Sequence, residues 1–138
     1  YITNTILQEV MHSGTGKSAY NVMPAEMGLA GKTGTTNGLR DSWFAGYSGD
    51  FLSVVWIGRD DNNPTGLTGA TGALQIWNEL MRQISHQAVH LIPPDTIEMK
   101  WIDNHTGLLT TENCPSAQLM PFSEGSGPTE FTECLGTP

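Results

Sequence analysis

The chain of 138 residues is poor in charge, poor in basic residues and without any long apolar run. Only 14% of it is charged, and six Lys and Arg stand against 14 Asp and Glu, a net charge of −8. A polyanion is repelled by that balance, so nucleic acid and anionic lipid surfaces are not expected partners. No stretch approaches the roughly 20 apolar residues that a bilayer span requires. The first residues, Tyr1-Ile2-Thr3-Asn4, show neither an initiator Met nor a signal-peptide pattern, and the expectation is an internal start within a longer protein. Internal repeats are also missing.

What remains is a loop-rich globular chain, 38% hydrophobic with 16 Gly and 8 Pro. Charge is unevenly spread. Residues 1–90 carry seven acidic and five basic side chains, whereas 91–138 carry seven acidic and a single basic one. The first segment, around Lys32, Arg40 and Arg59, suits a small anion better than the acidic tail does. Cys114 and Cys134 both lie in that tail. They are either a disulfide in an oxidising compartment such as the periplasm or two thiols in a reducing one, and an even count in a loop-rich segment favours the disulfide.

Hydrophobic spacing orders the elements. Ile6, Leu7, Val10 and Met11 predict a helix over 2–12, closed by Gly14. Residues 13–28 are turn-rich. Strands are predicted at about 29–36, 42–48 and 51–58, the last two joined as a hairpin through Ser48-Gly49-Asp50. Val54-Val55-Trp56-Ile57 is apolar at every position, which predicts burial on both faces. A second helix is expected over 70–86 with Leu74, Trp77, Leu80, Met81 and Ile84 as its stripe. The fold class is therefore α+β, an antiparallel sheet covered by helices, with a division into 1–90 and an acidic tail, 91–138, beginning near Pro93-Pro94. In the tail, Ile97–Ile102 and Leu108-Leu109 flank a turn and predict a small hairpin. Residues 121–138 are expected to be weakly ordered unless a disulfide pins them.

Lys32-Thr33-Gly34-Thr35-Thr36 is the stretch with the clearest chemistry. On an edge strand, Lys32 and Gly34 would share one face and Thr33 and Thr35 the other. Gly34 would let a ligand backbone lie close, the hydroxyls could hold a carboxylate, and the Lys32 ammonium could stabilise developing negative charge. Other patterns fall short. Gly16-Lys17-Ser18 would need a glycine at Met11 to be a phosphate loop. Gly46-Tyr47-Ser48-Gly49-Asp50 misses the nucleophile-elbow pattern by its last residue. His86 and His90 are spaced i, i+4 without the glutamate of a zinc helix, so they are expected as a helix-end pair and no metal site. Asp60-Asp61 is expected as a solvated pair, and Trp43, Phe44, Trp56 and Trp77 as core.

Lys-Thr-Gly is the third motif of penicillin-binding proteins and class A β-lactamases. Its surroundings here are Ser13-Gly14-Thr15-Gly16, Gly31 to Asn37, Asp41 to Tyr47, Val54 to Asp60 and Gly69 to Ala73. Over about 1–90 these resemble the C-terminal part of the transpeptidase domain of class A penicillin-binding proteins, and the tail does so more loosely. The resemblance implies a D,D-transpeptidase that cross-links stem peptides through a serine ester and is acylated by β-lactams. It implies Lys32 as the motif lysine, Thr33, Gly34, Thr35 and Thr36 as the substrate-binding wall, and the Thr35 N–H as an oxyanion donor. It further implies stem peptide ending in D-Ala-D-Ala and β-lactams as partners, no cofactor, a glycosyltransferase elsewhere in the parent, and a place on the periplasmic side of the inner membrane with the anchor outside this chain. Gly14, Leu29 and Ile97 stand three residues before the lysines, so there is no S-x-x-K, and no serine precedes an asparagine by two. The nucleophile is therefore expected outside the chain, and the chain alone is expected to be inactive. A D,D-carboxypeptidase or β-lactamase relative, or a peptide-binding module, shares the same motif. With sheet strands of the family missing beside 51–58, self-association through the open edge is expected.

Overall fold

A computed structural model describes residues 1–134. The chain forms two compact units, Thr3–Leu91 and the residues from Ile92 onward with Tyr1–Ile2. The first is built from helix α1 (Ile2–His12), strands β1 (Ala30–Thr35), β2 (Ser42–Tyr47) and β3 (Leu52–Ile57), and helix α2 (Ala73–Ile84). The strands form an antiparallel meander in the order β1-β2-β3. Between α1 and β1 lie two short 3-10 helices, Lys17–Asn21 and Ala25–Met27, the second ended by Gly28 in the left-handed region at φ 56°.

The core is on one face of this sheet. Met11, Ala19, Met23, Leu29, Phe44, Ala73, Leu74, Trp77 and Met81 are buried together. Phe44 is its centre and meets Trp77 edge-on at 4.9 Å between centroids. Its ring needs room that only glycine leaves. A Cβ at Gly31 or at Gly46 would stand 2.6 Å from the Phe44 ring, too close for any side chain. Burial of two large aromatics of this kind stabilises the unit by several kcal/mol, about 1.5–3 kcal/mol for each.

Helix α2 is fastened at its start by β2. The hydroxyl of the buried Ser42 donates to Thr68 O at 2.8 Å and accepts the N–H of Ala73 at 2.9 Å, satisfying one of the helix's orphan donors. Its buried positions are Ala73, Leu74, Trp77, Asn78 and Met81. Leu80 belongs to the exposed side, contrary to the predicted stripe, because the buried face runs through Leu74, Trp77, Asn78 and Met81 and leaves Leu80 at its margin. Ile6 of α1 is likewise exposed, while Met11 reaches the core.

After α2 the chain runs extended. Asp50, in the β2–β3 turn, accepts Ser48 Oγ at 2.7 Å, Ser85 Oγ at 3.0 Å and the His86 N–H at 2.9 Å. Gly49 N–H donates to Gln87 O and Val89 N–H to Met27 O. His86 and His90 therefore lie on a strap beyond the helix and do not form a helix-end pair. The strap ties the hairpin to the turn that feeds β1.

The expected burial of β3 on both faces is corrected. Leu52, Val54 and Trp56 are 73%, 55% and 48% exposed, because one face of the three-stranded sheet has no covering layer in its unit. In the second unit, β4 (Ile97–Asp103) pairs with β5 (Ala117–Ser123), from Ile97 opposite Ser123 to Asp103 opposite Ala117. The predicted hairpin partner, Leu109, makes isolated bridges to Ile102 and Phe131, and its neighbours pair with β4 through Asp103 N–H to Leu108 O and Thr110 N–H to Trp101 O, both at 2.9 Å, without forming a full strand. Pro121 within β5 obscures that strand in the sequence; a two-stranded ribbon accepts proline because one side of each strand needs no hydrogen bonds. Cys114 and Cys134 form a disulfide with their Cα atoms 5.4 Å apart. Of the tail expected to be weakly ordered, 121–123 is strand, and 135–138 lies outside the described residues.

Candidate functional site

The Lys-Thr-Gly-Thr stretch is β1, and among the described residues β1 pairs with β2 alone, so its other edge is open. Register fixes which groups face where. Thr36 N–H donates to Asp41 O, continuing the ladder that pairs Gly34 with Trp43 and Lys32 with Ala45. Alternation then directs the backbone groups of Lys32 and Gly34 into the sheet and those of Gly31, Thr33 and Thr35 to the open edge. The Thr35 N–H is thus presented outward, as an oxyanion donor requires.

Side chains divide by the same rule. Thr33 lies opposite buried Phe44 and Thr35 opposite buried Ser42, so both hydroxyls stand on the core-side face, at its rim. Lys32 is opposite Ala45 on the other face, where its ammonium donates to Thr33 O at 2.9 Å. Gly34 lies over Trp43, and a Cβ at Gly34 would stand only 3.1 Å from the Trp43 Cβ.

Each hydroxyl has a partner behind it. Thr35 Oγ1 accepts the N–H of Gly69 at 2.9 Å. Having accepted from Gly69, it keeps its own proton to give away. Thr33 Oγ1 is 2.8 Å from Thr15 Oγ1. Gly69 sits so close that a Cβ would be 2.6 Å from Trp43 O, 2.7 Å from Gly34 O and 2.8 Å from Thr33 Cβ. The Gly69-Ala70-Thr71-Gly72 segment therefore serves two tasks, carrying a donor to Thr35 and leading into α2.

Thr36 has a different task. Its hydroxyl donates to Asp41 Oδ2 at 3.0 Å and accepts the Asp41 N–H at 2.8 Å. With its single proton given to Asp41, the Thr36 hydroxyl holds the turn that follows β1. Asp41 Oδ1 also accepts Trp56 Nε1 at 2.9 Å. Leu39 O accepts both the N–H and the hydroxyl of Thr65, at 2.8 and 2.9 Å, and Arg40 donates to Asn62 O. The loop after β1 is thereby tied to the 62–65 loop.

Trp43 and Trp56, expected in the core, lie instead on the open face. Their ring centroids are 6.0 Å apart, and they are exposed because β2 and β3 are covered only on the Phe44 side. Asp61 holds Arg59 in an exposed ion pair, 2.9 Å, as befits a solvated loop. Thr15 and Gly69 are visible in the sequence only as parts of small-residue clusters; no local signal assigns them to Thr33 and Thr35.

No family model matches the chain. The chain is homologous to the class A penicillin-binding proteins 1A and 1B. It is 45% identical over 96 residues to penicillin-binding protein 1B of Haemophilus influenzae, covering 70% of this chain and 12% of that one. It is 40% identical over 103 residues to penicillin-binding protein 1B of Escherichia coli, covering 75% and 12%. Against penicillin-binding protein 1A of Pseudomonas aeruginosa it is 35% identical over 138 residues, 96% of this chain and 16% of the relative. The crystal structure of penicillin-binding protein 1A from Haemophilus influenzae superposes with a TM-score of 0.80 at 27% identity, over 94% of this chain and 20% of the other. The chain thus spans about an eighth to a sixth of the length of these curated relatives.

Proposed function

We propose that this chain forms one wall of a peptidoglycan D,D-transpeptidase site, residues 1–90 being the C-terminal portion of the transpeptidase domain and 91–138 an accessory tail. The Thr33 and Thr35 hydroxyls hold the terminal carboxylate of a D-Ala-D-Ala stem peptide, or that of a β-lactam. The Thr35 N–H supplies one of two donors to the tetrahedral oxyanion. Gly34 admits the ligand backbone, and the Lys32 ammonium raises the local potential. The observation that carries the reading is the open edge of β1, with the Thr35 N–H directed outward and its hydroxyl fixed from behind by Gly69.

The acylated serine and its base come from an S-x-x-K outside these 138 residues, so the chain by itself does not turn over substrate. Its parent is a bifunctional synthase with a glycosyltransferase in another part, acting on the periplasmic side of the inner membrane. The Cys114–Cys134 disulfide supports such an oxidising compartment. Among the described residues no helix is long and apolar enough to cross a membrane. In isolation the chain self-associates through β3, whose outer edge has no strand beside it among the described residues.

Two measurements test the reading. A fluorescent penicillin is expected to leave the chain unlabelled after denaturing electrophoresis; a covalent adduct would contradict it. N-acetyl-D-Ala-D-Ala is expected to shift the amide resonances of Thr33 to Thr35 in an NMR titration, and Lys32→Ala to weaken that response. Shifts confined to other segments would sink the proposal.

A further inference from the structure

Thr15 stands in a segment, Ser13-Gly14-Thr15-Gly16, to which the proposed function gives no task. Its placement is tightly determined. Ser13 N–H donates to Glu9 O and Gly16 N–H to Val10 O, both at 3.0 Å, so the chain folds back on the end of α1. A Cβ at Gly14 would lie 2.9 Å from Val10 Cα and Val10 O, and one at Gly16 would lie 2.5 Å from Met11 Sδ. Glycine on both sides is what allows the fold-back. The result is an exposed hydroxyl carried 18 residues forward to within 2.8 Å of Thr33 Oγ1.

Thr35 shows what such a contact does. Gly69 gives it an N–H, which only donates, so the Thr35 hydroxyl proton is left for a ligand. In the Thr15–Thr33 pair either oxygen can be the donor. An anion at the rim decides the direction. A carboxylate takes protons only, so Thr33 donates to it, and the pair is satisfied when Thr15 donates to Thr33.

We propose that Thr15 is a positioning residue for carboxylate recognition: it donates to Thr33 Oγ1 and orients the Thr33 proton toward the ligand's terminal carboxylate, as Gly69 does for Thr35. This rests on the reading of Thr33 and Thr35 as the carboxylate-holding pair. Thr15 and Gly69 then form a second rank of donors behind the first. A chain of aligned hydroxyls polarises each member, so the bond given to the anion strengthens.

The test is an NMR titration of the chain with N-acetyl-D-Ala-D-Ala and with its C-terminal amide, in the unsubstituted form and in Thr15→Val, Thr15→Ser and Thr33→Val. Thr15→Val keeps the shape and removes the hydroxyl. It is expected to weaken the free-carboxylate ligand by about five- to tenfold, the size of one ordinary hydrogen bond between neutral groups. Thr15→Ser is expected to restore binding, and the amide to be nearly indifferent to both. Thr33→Val serves as the reference for the underlying reading. Weakening by Thr33→Val with no change in Thr15→Val overturns the role of Thr15 and leaves that reading standing. A loss that Thr15→Ser does not restore, or that is equal for acid and amide, also overturns it, since packing alone would do that. If the unsubstituted chain gives no saturable shifts at β1, the carboxylate reading fails and this inference with it. Should Thr15→Val perturb the spectrum beyond its neighbourhood, Thr15→Ala read by the same acid-to-amide ratio replaces it.

Discussion

The N–H of Gly69 ends on the hydroxyl of Thr35, 2.9 Å away and 34 residues earlier in the chain. The contact depends on the absence of a side chain at Gly69, where a Cβ would press on the carbonyls of Trp43 and Gly34. Gly69→Ala is expected to lift this loop from β1 and destabilise the first unit by about 1–3 kcal/mol. Urea unfolding gives the loss. Hydrogen exchange at residue 69 should show the amide released; an unchanged protection factor would refute the account.

Ser42 holds α2 to the sheet with one atom. Ser42→Ala leaves the Ala73 N–H and the Thr68 carbonyl without their partner in a dry site. A cost of about 1–3 kcal/mol is expected, seen as a lower melting temperature, with the helix frayed first at Ala73. Ser42→Cys, similar in shape and weaker in hydrogen bonding, should fall between the two.

Asp103 organises the turn after β4. Ser116 Oγ donates to one carboxylate oxygen, and the Thr106 N–H, at 2.8 Å, and the His105 N–H, at 2.9 Å, to the other. These bonds favour the anion over the opposing effect of burial and bring the carboxyl down from 3.8 to about 2. The folded-state pKa lies below the unfolded one, so the stabilisation is complete above about pH 4 and is lost as pH falls toward 2. Melting temperatures of the second unit should decline across that window, and the decline should be shallower in Asp103→Asn. Identical slopes for the two proteins would contradict the assignment.

The Cys114–Cys134 link closes a loop of 20 positions. On the chain-entropy account such a loop contributes about 3 kcal/mol. Reduction with a thiol reagent, or a Cys114→Ser/Cys134→Ser variant, should lower the stability of the second unit by that order while the melting of the first is little changed. Calorimetry resolving the two transitions would show it.

Alternation leaves the backbone groups of Leu52, Val54 and Trp56 on the outer edge of β3, with their side chains on the open face. A second copy can add antiparallel there with Val54 opposite Val54 and Leu52 opposite Trp56. Sedimentation velocity should show association that grows with concentration. Val54→Lys should suppress it, since a charge at a sheet edge opposes pairing. A monomer at all concentrations in the unsubstituted chain would count against this edge.

How far the sequence carries can be judged residue by residue. Both helices are legible because their apolar positions repeat at the helical period, β2 and β3 because apolar runs flank Ser48-Gly49-Asp50, and Lys32-Thr33-Gly34-Thr35 of β1 because its neighbours are specific. Trp43 and Trp56 mislead, since hydrophobicity does not say which face of a sheet is covered. Strand β5 is hidden by Pro121 and by its start 14 residues after the end of β4. Thr15 and Gly69 cannot be read at all as neighbours of the Thr33 and Thr35 hydroxyls, because those contacts span 18 and 34 positions and leave no local pattern.

Phe44 seated between Gly31 and Gly46 has a meaning beyond packing. A slip of β1 by one residue would carry Lys32 to the buried side and turn both hydroxyls outward, exchanging cation for hydroxyl across the strand. The ring forbids that slip, because the position over it tolerates hydrogen and nothing larger. An aromatic side chain with no exposed atom therefore acts as the indexing pin of the wall, and the chemistry at its rim is only as well aligned as that pin is tight.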